Sequence, residues 1–585
     1  MSSSAPPTPT QTPSPSASRP RLVLRLPVVG PLRLNKPSDI WFKASTSVAV
    51  SVAVPGLTLF AIGRLDLAMY TMAGSFCALY AHNLPYAARA RAVAWVVLGM
   101  IASLAVSLVT ASFTTNAVIL VTVGALLAAV QKTVCDATRI GPPGHLILTF
   151  ISSASLFAPQ KLGQIPGHLA LTAAAGAVAW LVCMAPALVR PHGPERRATG
   201  RALNAAAAYV EAFGAGDATV SDAARGRARA GAAAAVHAAW QSLFATGGEG
   251  AARRALERLV VRAEVALAAP ADTDPAQLRA WAAGLSGTGP VPRPALLDGM
   301  EDELLGIEIE RASAAAPSLC RRLAPGSPFL PVGLRTAIGC ALAGYGSLAL
   351  GVGRPYWALV TAAALYQANV TLTWNRTVQR VTGNLLGVLV FAAVVPLAHV
   401  SPLFIVLLCM VFSFGAEAFI ARNYWLGTVW VTPMALLITE FARTQDAGEL
   451  ITDRVIDTLL GAVLGIVAAL IVTNRRVGDH IERALDAADR AREHAERTLA
   501  ATRPAPGELE GARRRLVAAL VELRTADDTA AGEWWQRALP EERVVAVEQA
   551  GHRTLAATVR RQARRSVQDI DEHRGGTDAR ENTRA

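Results

Sequence analysis

The sequence predicts an all-α polytopic membrane protein: two repeated six-helix transmembrane bundles, each followed by a cytosolic helical domain. Three observations predict it. The 585 residues are 52% hydrophobic and only 17% charged, too apolar for an ordinary soluble protein and too long for one small domain. The charges are unevenly placed: few fall in 41–190 and 326–474, most in 191–325 and 475–585. That is how a chain alternating between lipid and water looks. Finally, an offset of 290 residues carries Gly63-Arg64 onto Gly353-Arg354, Lys132 onto Arg422 and Pro143 onto Pro433. It also carries His145-Leu-Ile-Leu-Thr149 onto Ala435-Leu-Leu-Ile-Thr439. One gapless offset serving several landmarks points to a duplicated bundle, and paired half-bundles that rock around a central site recur in transporters.

The elements follow in order. Residues 1–40 open with Ser, Pro and Thr in low complexity, and no long apolar run begins before Ala44. No signal peptide is read, and this tail is expected to be disordered and cytosolic. The first bundle, 41–190, divides into apolar stretches at 44–62, 66–82, 92–111, 115–131, 144–158 and 168–189. The second, 326–474, divides into 333–351, 356–372, 383–399, 402–420, 425–439 and 455–473. Most approach the ~20 residues needed to cross the hydrocarbon, and the shorter ones are candidates for tilted, broken or re-entrant helices.

Six crossings return the chain to its starting side. Short loops on the tail's side hold Arg89, Arg91, Lys132, Arg139, Arg376, Arg380 and Arg422; those opposite hold Arg64, Lys161, Arg354, Arg443 and Arg454. The flanks Lys36, Lys43, Arg190, Arg196, Arg197, Arg321, Arg322, Arg475 and Arg476 join the first group. This positive excess places both termini in the cytoplasm of a multi-pass inner (cell) membrane protein.

Between the bundles, 195–268 is rich in Ala, Arg and Glu with apolar residues at helical spacing. A Pro-, Gly- and Ser-rich loop at 270–295 and an amphipathic stretch at 296–323 follow. Similar patterns recur at 479–502, 507–526 and 541–569. These read as two cytosolic helical domains, 191–325 and 475–585, packed together or against a neighbour.

The net charge of +12 does not indicate nucleic acid. Lys36, Lys43, Lys132 and Lys161 are the only lysines among 56 basic residues, an imbalance that reflects the codon bias of a GC-rich genome. A basic balance also suits an anionic inner leaflet, each nearby cation contributing ~1 kcal/mol. The six cysteines (Cys77, Cys135, Cys183, Cys320, Cys340, Cys409) show no close spacing, so neither a disulfide framework nor a metal site is expected.

The sharpest local patterns lie in the second bundle. Arg376, Arg380, Gly383 and Gly387 hold one helix face, and Arg454, Asp457, Gly461 and Gly465 hold another. Each face has a charged end and a Gly-x-x-x-Gly middle, and such glycines let backbones approach closely in lipid. The two helices are therefore expected to form the tight centre of this bundle, antiparallel and adjacent.

At these residues the chain resembles the fusaric-acid-resistance-like (FUSC) inner-membrane proteins, which include aromatic acid exporters. The resemblance rests on Pro355-Tyr-Trp-Ala-Leu-Val-Thr361, on Gln379-Arg-Val-Thr-Gly383-Asn-Leu-Leu-Gly387 and on Arg454-Val-Ile-Asp457-Thr-Leu-Leu-Gly461. The bundle–domain–bundle–domain arrangement is similar as well. The motifs lie only in the second block; the first lacks the Arg-x-x-Gly-x-x-x-Gly stripe. The resemblance implies transport of small aromatic or amphipathic acids.

Polar groups inside apolar helices are costly, at least ~2.5–3.5 kcal/mol for a charge on insertion scales. Glu417 and Asp457 are accordingly the candidate proton-coupling residues, although an Arg454–Asp457 ion pair is the preferred reading of the second. His145, beside Gly141-Pro-Pro-Gly144, is read as a polar contact at a helix break in preference to a titrating group. Gly141-Pro-Pro-Gly144 and Thr432-Pro433 mark kinks or breaks at equivalent places. Tyr356, Trp357, Thr361, Gln367, Asn369 and Trp374 offer ring faces and hydrogen bonds to a planar acid, with an interfacial aromatic belt preferred for Trp357 and Trp374.

No lysine follows Gly as a phosphate-cradling loop requires, and no His-Glu-x-x-His, paired Cys or Gly-x-Ser-x-Gly occurs. No enzyme, cofactor or catalytic constellation is expected. The leading reading is a gradient-driven exporter of small aromatic or amphipathic organic acids. Arg354, Tyr356, Trp357, Thr361, Arg376, Arg380, Asn384 and Arg454 would bind substrate, and Glu417 or Asp457 would carry the proton. The expected partners are membrane lipids and a small organic anion, with a homo-oligomer left open. A membrane scaffold whose cytosolic helices recruit partners, and an uncoupled organic-anion channel, are the alternatives.

Overall fold

The computed structural model describes residues 28–34, 41–292, 323, 327–531 and 543–561, apart from 139, 215–221, 247–249, 269, 288, 328, 368, 442–444, 473–476, 503, 506–507, 556 and 559–560. Among the described residues every regular element is a helix. The first apolar block folds as α1 (Trp41–Ala61), α2 (Ala68–Ser75), α3 (Tyr86–Phe113), α4 (Ala117–Thr138), α5 (Leu146–Leu156) and α6 (Ile165–Met184). A polar unit follows as α7 (Gly193–Gly214), α8 (Asp222–Phe244), α9 (Ala251–Ala268) and α10 (Pro275–Gly284). The second apolar block is α11 (Phe329–Ala349), α12 (Tyr356–Leu365), α13 (Val370–Ala398), α14 (Pro402–Ile420), α15 (Tyr424–Glu440) and α16 (Ala447–Ile471). Then come α17 (Val477–Ala500), α18 (Glu508–Ala531) and α19 (residues 543–555).

Among the described residues, seven helices are long and apolar enough to cross a membrane: α1, α3, α4, α6 with its flanking turns, α13, α14 and α16. The apolar stretches at 66–82, 144–158 and 356–372 do not become full-length helices. In their place stand α2, α5 and α12, of 8, 11 and 10 residues. At 1.5 Å per residue none of these approaches the ~30 Å of a hydrocarbon core. The apolar run hides the interruption; in the second block, polar caps set where the next helix starts. Asn369 Oδ1 accepts the Leu372 N–H at 2.8 Å and starts α13 there. Asn423 and Asp446 start α15 and α16 in the same way.

Early starts also move charges out of expected loops. Because α3 begins at Tyr86 and α13 at Val370, Arg89, Arg91, Arg376 and Arg380 are helical. Lys132 is helical too and pairs with Asp136 at 2.9 Å. The expected loop at 270–295 contains α10, because Asp274 caps Ala276 N–H at 2.9 Å and Pro275 occupies the first turn. Part of the tail is ordered: residues 28–34 hold a short 3₁₀ turn, Gly30–Leu32. Residues 296–322 of the expected stretch 296–323, the loop residues Arg139 and Arg443, and the flanking Lys36, Arg321, Arg322, Arg475 and Arg476 lie outside the described residues.

Helix pairing follows one scheme in both blocks. α2 packs on α6 and α12 on α16; α3 packs on α5 and α6, and α13 on α15 and α16; α1 packs on α2 and α6, and α11 on α12 and α16. Between blocks, α4 lies along α11 and α1 along α14, while α5 meets α12 and α2 meets α15. The register differs from a gapless 290. α11 and α12 start 288 residues after α1 and α2, whereas α13 and α14 start 284 and 285 after α3 and α4. The conformational counterpart of Gly63 (φ +69) is Gly351 (φ +70), not Gly353. Each ends its helix in the left-handed region, and the next residue donates back to the last turn (Arg64 to Leu59 O, Val352 to Ser347 O). Loops that differ in length absorb the shifts.

The four motif glycines make close approaches, but not to one another's helix. A Cβ on Gly383 or Gly387 would meet Trp425, Thr428 and Thr432 of α15, and one on Gly461 or Gly465 would meet Ala358, Thr361, Ala362 and Leu365 of α12. Residue numbers rise together across each contact, so α13 runs parallel to α15 and α16 to α12. The α13–α16 contact is made instead by polar side chains.

The polar helices form two cores. Leu203, Val236, Trp240, Leu256, Leu259 and Leu278 join α7–α10, and Leu485, Leu516, Leu520 and Val544 join α17–α19. Arg513 donates to Glu264 Oε2 at 2.6 Å and ties the two cores together.

Candidate functional site

The polar side chains of the second block collect where α12, α13, α15 and α16 meet. Helix α13 brings Arg376, Arg380 and Asn384 into successive turns, and Tyr424 opens α15 beside them. Arg380 Nη1 donates to Tyr424 Oη at 3.0 Å, and the Arg376 guanidinium lies 3.4 Å from the centre of the same ring. Four residues further on, Asn384 bridges three helices. Its Nδ2 donates to Thr458 Oγ1 at 3.0 Å, and its Oδ1 is 2.9 Å from Thr432 Oγ1. Thr458 passes its own proton to Arg454 O at 2.7 Å.

Trp357 stands at the centre, fully buried. The guanidiniums of Arg354 and Arg454 lie 5.4 and 5.3 Å from its ring centre, within cation–π range. Tyr356 meets Trp357 edge-on and also contacts Phe157 of the first block. Burial at this level corrects the interfacial-belt reading of Trp357, since a belt residue keeps one edge in water. Arg354 is anchored by Asp453 and Gln445, each at 2.5 Å.

The expected Arg454–Asp457 ion pair is absent. Asp457 is 0% exposed, and its Oδ1 accepts the Ser347 hydroxyl of α11 at 2.7 Å. Asp457 Oδ2, Arg454 Nε and Nη1, Arg380 Nε, Arg376 Nε, Trp357 Nε1 and Thr361 Oγ1 are buried without a protein partner. Side chains three apart on a helix are neighbours, but Ser347 and Trp357 draw these two apart. Arg380 lies close enough for its charge to act on Arg454. Buried groups of this kind are normally satisfied, and buried like charges are costly without a counter-charge. The cluster therefore holds several buried N–H donors that no side chain accepts, with one carboxylate oxygen of Asp457 unpartnered beside them.

Other expected residues fall elsewhere. Glu417 is half-buried on α14 and forms no hydrogen bond or ion pair among the described residues. Asn369 is spent on capping, and the Gln367 amide bonds Tyr366 O at 3.2 Å. His145 is buried and bonds Ala363 O at 3.1 Å across the block boundary, a contact at a helix break. Pro143 falls in the turn before α5, whereas Pro433 lies inside α15.

Several participants escaped the sequence reading. Tyr424 and Ser347 carried no charge or motif to flag them, although an Asn-Tyr-Trp triplet opening a helix was a usable signal. His399 and Glu440 meet at 3.0 Å near the far ends of α13 and α15. In the first block, Tyr70 and His168 stack at 3.8 Å between α2 and α6. Arg89 is used up on the carbonyls of Ala81, His82, Leu84 and Cys183. Among the described residues no group of three or more His, Cys, Asp or Glu side chains is placed to hold a metal.

Over 155 residues the chain is 30% identical to a Bacillus subtilis (strain 168) protein described as the uncharacterized membrane protein YvaC. That match covers 26% of this chain and 24% of the relative, so about a quarter of each protein is compared. No solved structure matches. Residues 338–468 match the family model described as fusaric acid resistance protein-like. They contain every member of the cluster from Ser347 to Thr458, so the second apolar block of this membrane protein carries a fusaric acid resistance protein-like domain.

Proposed function

We propose that the chain is a gradient-driven transporter that exports small aromatic or amphipathic organic acids, with the cluster around Trp357 as its binding site. The observation that carries this reading is the set of unpartnered donors there. Three arginines present buried N–H groups that form no hydrogen bond, beside a buried indole and an unpartnered threonine hydroxyl. A planar acid supplies the missing acceptor atoms and a face for the ring. Asp457, with one free buried oxygen in the same cluster, is the proton carrier we favour; Glu417 is the second candidate.

The matching helix pairs support two six-helix repeats related by a pseudo-two-fold axis. An even number of segments per repeat leaves both polar units and both termini on one side, which the flanking arginines assign to the cytoplasm of the cell membrane. The first repeat reads as a support. Its α2–α6 contact is filled by the Tyr70–His168 stack, and its buried Arg89 is already committed to carbonyls.

The test is reconstitution in liposomes with a labelled aromatic carboxylate. Movement that requires an imposed pH gradient supports a coupled transporter. Movement that persists without one supports the anion-channel reading, and no movement under either condition favours a scaffold.

A further inference from the structure

Gln379, in the third turn of α13, and Asn423 and Trp425, at the start of α15, read a stretch of backbone. Gln379 Nε2 donates to Pro31 O at 2.9 Å. Asn423 Nδ2 uses both protons, on Pro31 O at 2.8 Å and Arg33 O at 2.8 Å. Trp425 Nε1 donates to Leu32 O at 3.0 Å. Three successive carbonyls are thus received by three side chains that come from two helices about 390 residues away or 348 away along the chain. Pro31 is buried and has no N–H to lose, while the 3₁₀ turn satisfies the N–H groups of Leu32 and Arg33 internally.

The seat adjoins the anion-attracting end of the cluster. Gln379 directly precedes Arg380, and Asn423 and Trp425 flank Tyr424, the ring that holds both Arg376 and Arg380. We propose that residues 28–34 form a strap that docks in a backbone-reading cleft made by Gln379, Asn423 and Trp425 and controls access to Arg376 and Arg380. The occupant is this chain's own segment, held by its carbonyls and a buried proline ring. Such a contact forms and releases without rearranging α13 or α15. The controlling role rests on the proposed binding site; the docking does not.

Two full-length variants release the strap from opposite sides: a Gln379→Ala/Trp425→Phe double substitution in the cleft, and Pro31→Asp in the strap, which leaves the helix caps intact. Trypsin cleavage after Arg33 reports docking, because that carbonyl is held by Asn423. Modification of Arg376 by an arginine-selective dicarbonyl, mapped by mass spectrometry, reports access. Removing two of these hydrogen bonds is expected to raise both rates about tenfold. Equal cleavage in wild type and both variants overturns the strap. Faster cleavage with unchanged Arg376 modification overturns its covering role. If both rates rise yet no variant moves a labelled aromatic acid, the strap stands and the transporter reading fails.

Discussion

Arg454 and Asp457 stand three residues apart on one face of α16, both buried, and form no ion pair; each is engaged by a different helix instead. Trp357 of α12 lies under the arginine, and Ser347 of α11 donates to the aspartate. Keeping the two apart leaves the guanidinium available to a ligand. Arg454→Ala is expected to weaken binding of a labelled aromatic carboxylate by about 10- to 100-fold, the value of one or two charge-assisted hydrogen bonds. Arg454→Lys should recover only part of it, since an ammonium lacks the planar fork that lies over an indole. Equal affinity in all three forms, measured by equilibrium binding in detergent, would remove this arginine from the site.

The free oxygen of Asp457 gives a second expectation. Asp457→Asn keeps the Ser347 contact in shape but cannot exchange a proton. Liposomes carrying it should move the acid at a rate that no longer responds to the pH gradient, while Glu417→Gln keeps the response. The reverse pattern would transfer the coupling role to α14.

Close packing at the motif glycines makes a steric prediction. A methyl group on Gly461 would sit 2.5 Å from the Ala358 carbonyl oxygen, and that backbone has no rotamer to change. Gly461→Ala should destabilise the protein by about 1–3 kcal/mol, read as a lower melting temperature in detergent. Gly99→Ala, on α3 with nothing within 4 Å of its Cβ, should leave the temperature unchanged or raise it slightly.

The polar units depend on a buried charge pair. Glu264 accepts from Arg513 at 2.6 Å and from Trp240 Nε1 at 2.8 Å, with side chains only 7% and 5% exposed for the pair. Removing one partner of such a pair typically costs about 3–5 kcal/mol. Glu264→Ala should therefore speed amide exchange across α18 and separate the two cores. Unchanged exchange would show that the apolar contacts alone hold them.

Hydropathy revealed the two apolar blocks and the helical character of the polar ones, because burial against lipid or a helical core imposes a composition that one sequence displays. It did not reveal where helices stop inside an apolar run. The end of α12 is decided by one extended residue, Tyr366, and the start of α13 by one cap, Asn369, within a stretch of unbroken hydrophobicity. The charged members of the site were visible for the opposite reason: an arginine or aspartate in a greasy helix stands out. Their partners were not, since nothing in a linear pattern says that Ser347 competes with Arg454 for Asp457. The landmark offset of 290 failed for a related reason, because loops of unequal length shift register while the helix pairing is kept.

His552, on α19, is neutral at pH 7 because burial, and then the charge of Arg229 on α8, push its pKa from 6.5 down to about 4. The unfolded chain takes up a proton near 6.5, and the folded one resists until about 4. Folding stability from this residue is thus complete above pH 6.5 and is lost as the pH falls toward 4. The loss is on the order of 2 kcal/mol. The denaturant midpoint for loss of Trp240 fluorescence should fall between pH 7 and 4.5 in wild type, and fall less in His552→Gln. Carboxylates contribute a pH dependence of their own, but it is common to both proteins, so the difference between the two curves isolates the histidine. Parallel curves would mean that protonated His552 finds compensation in the fold and that its burial carries no penalty.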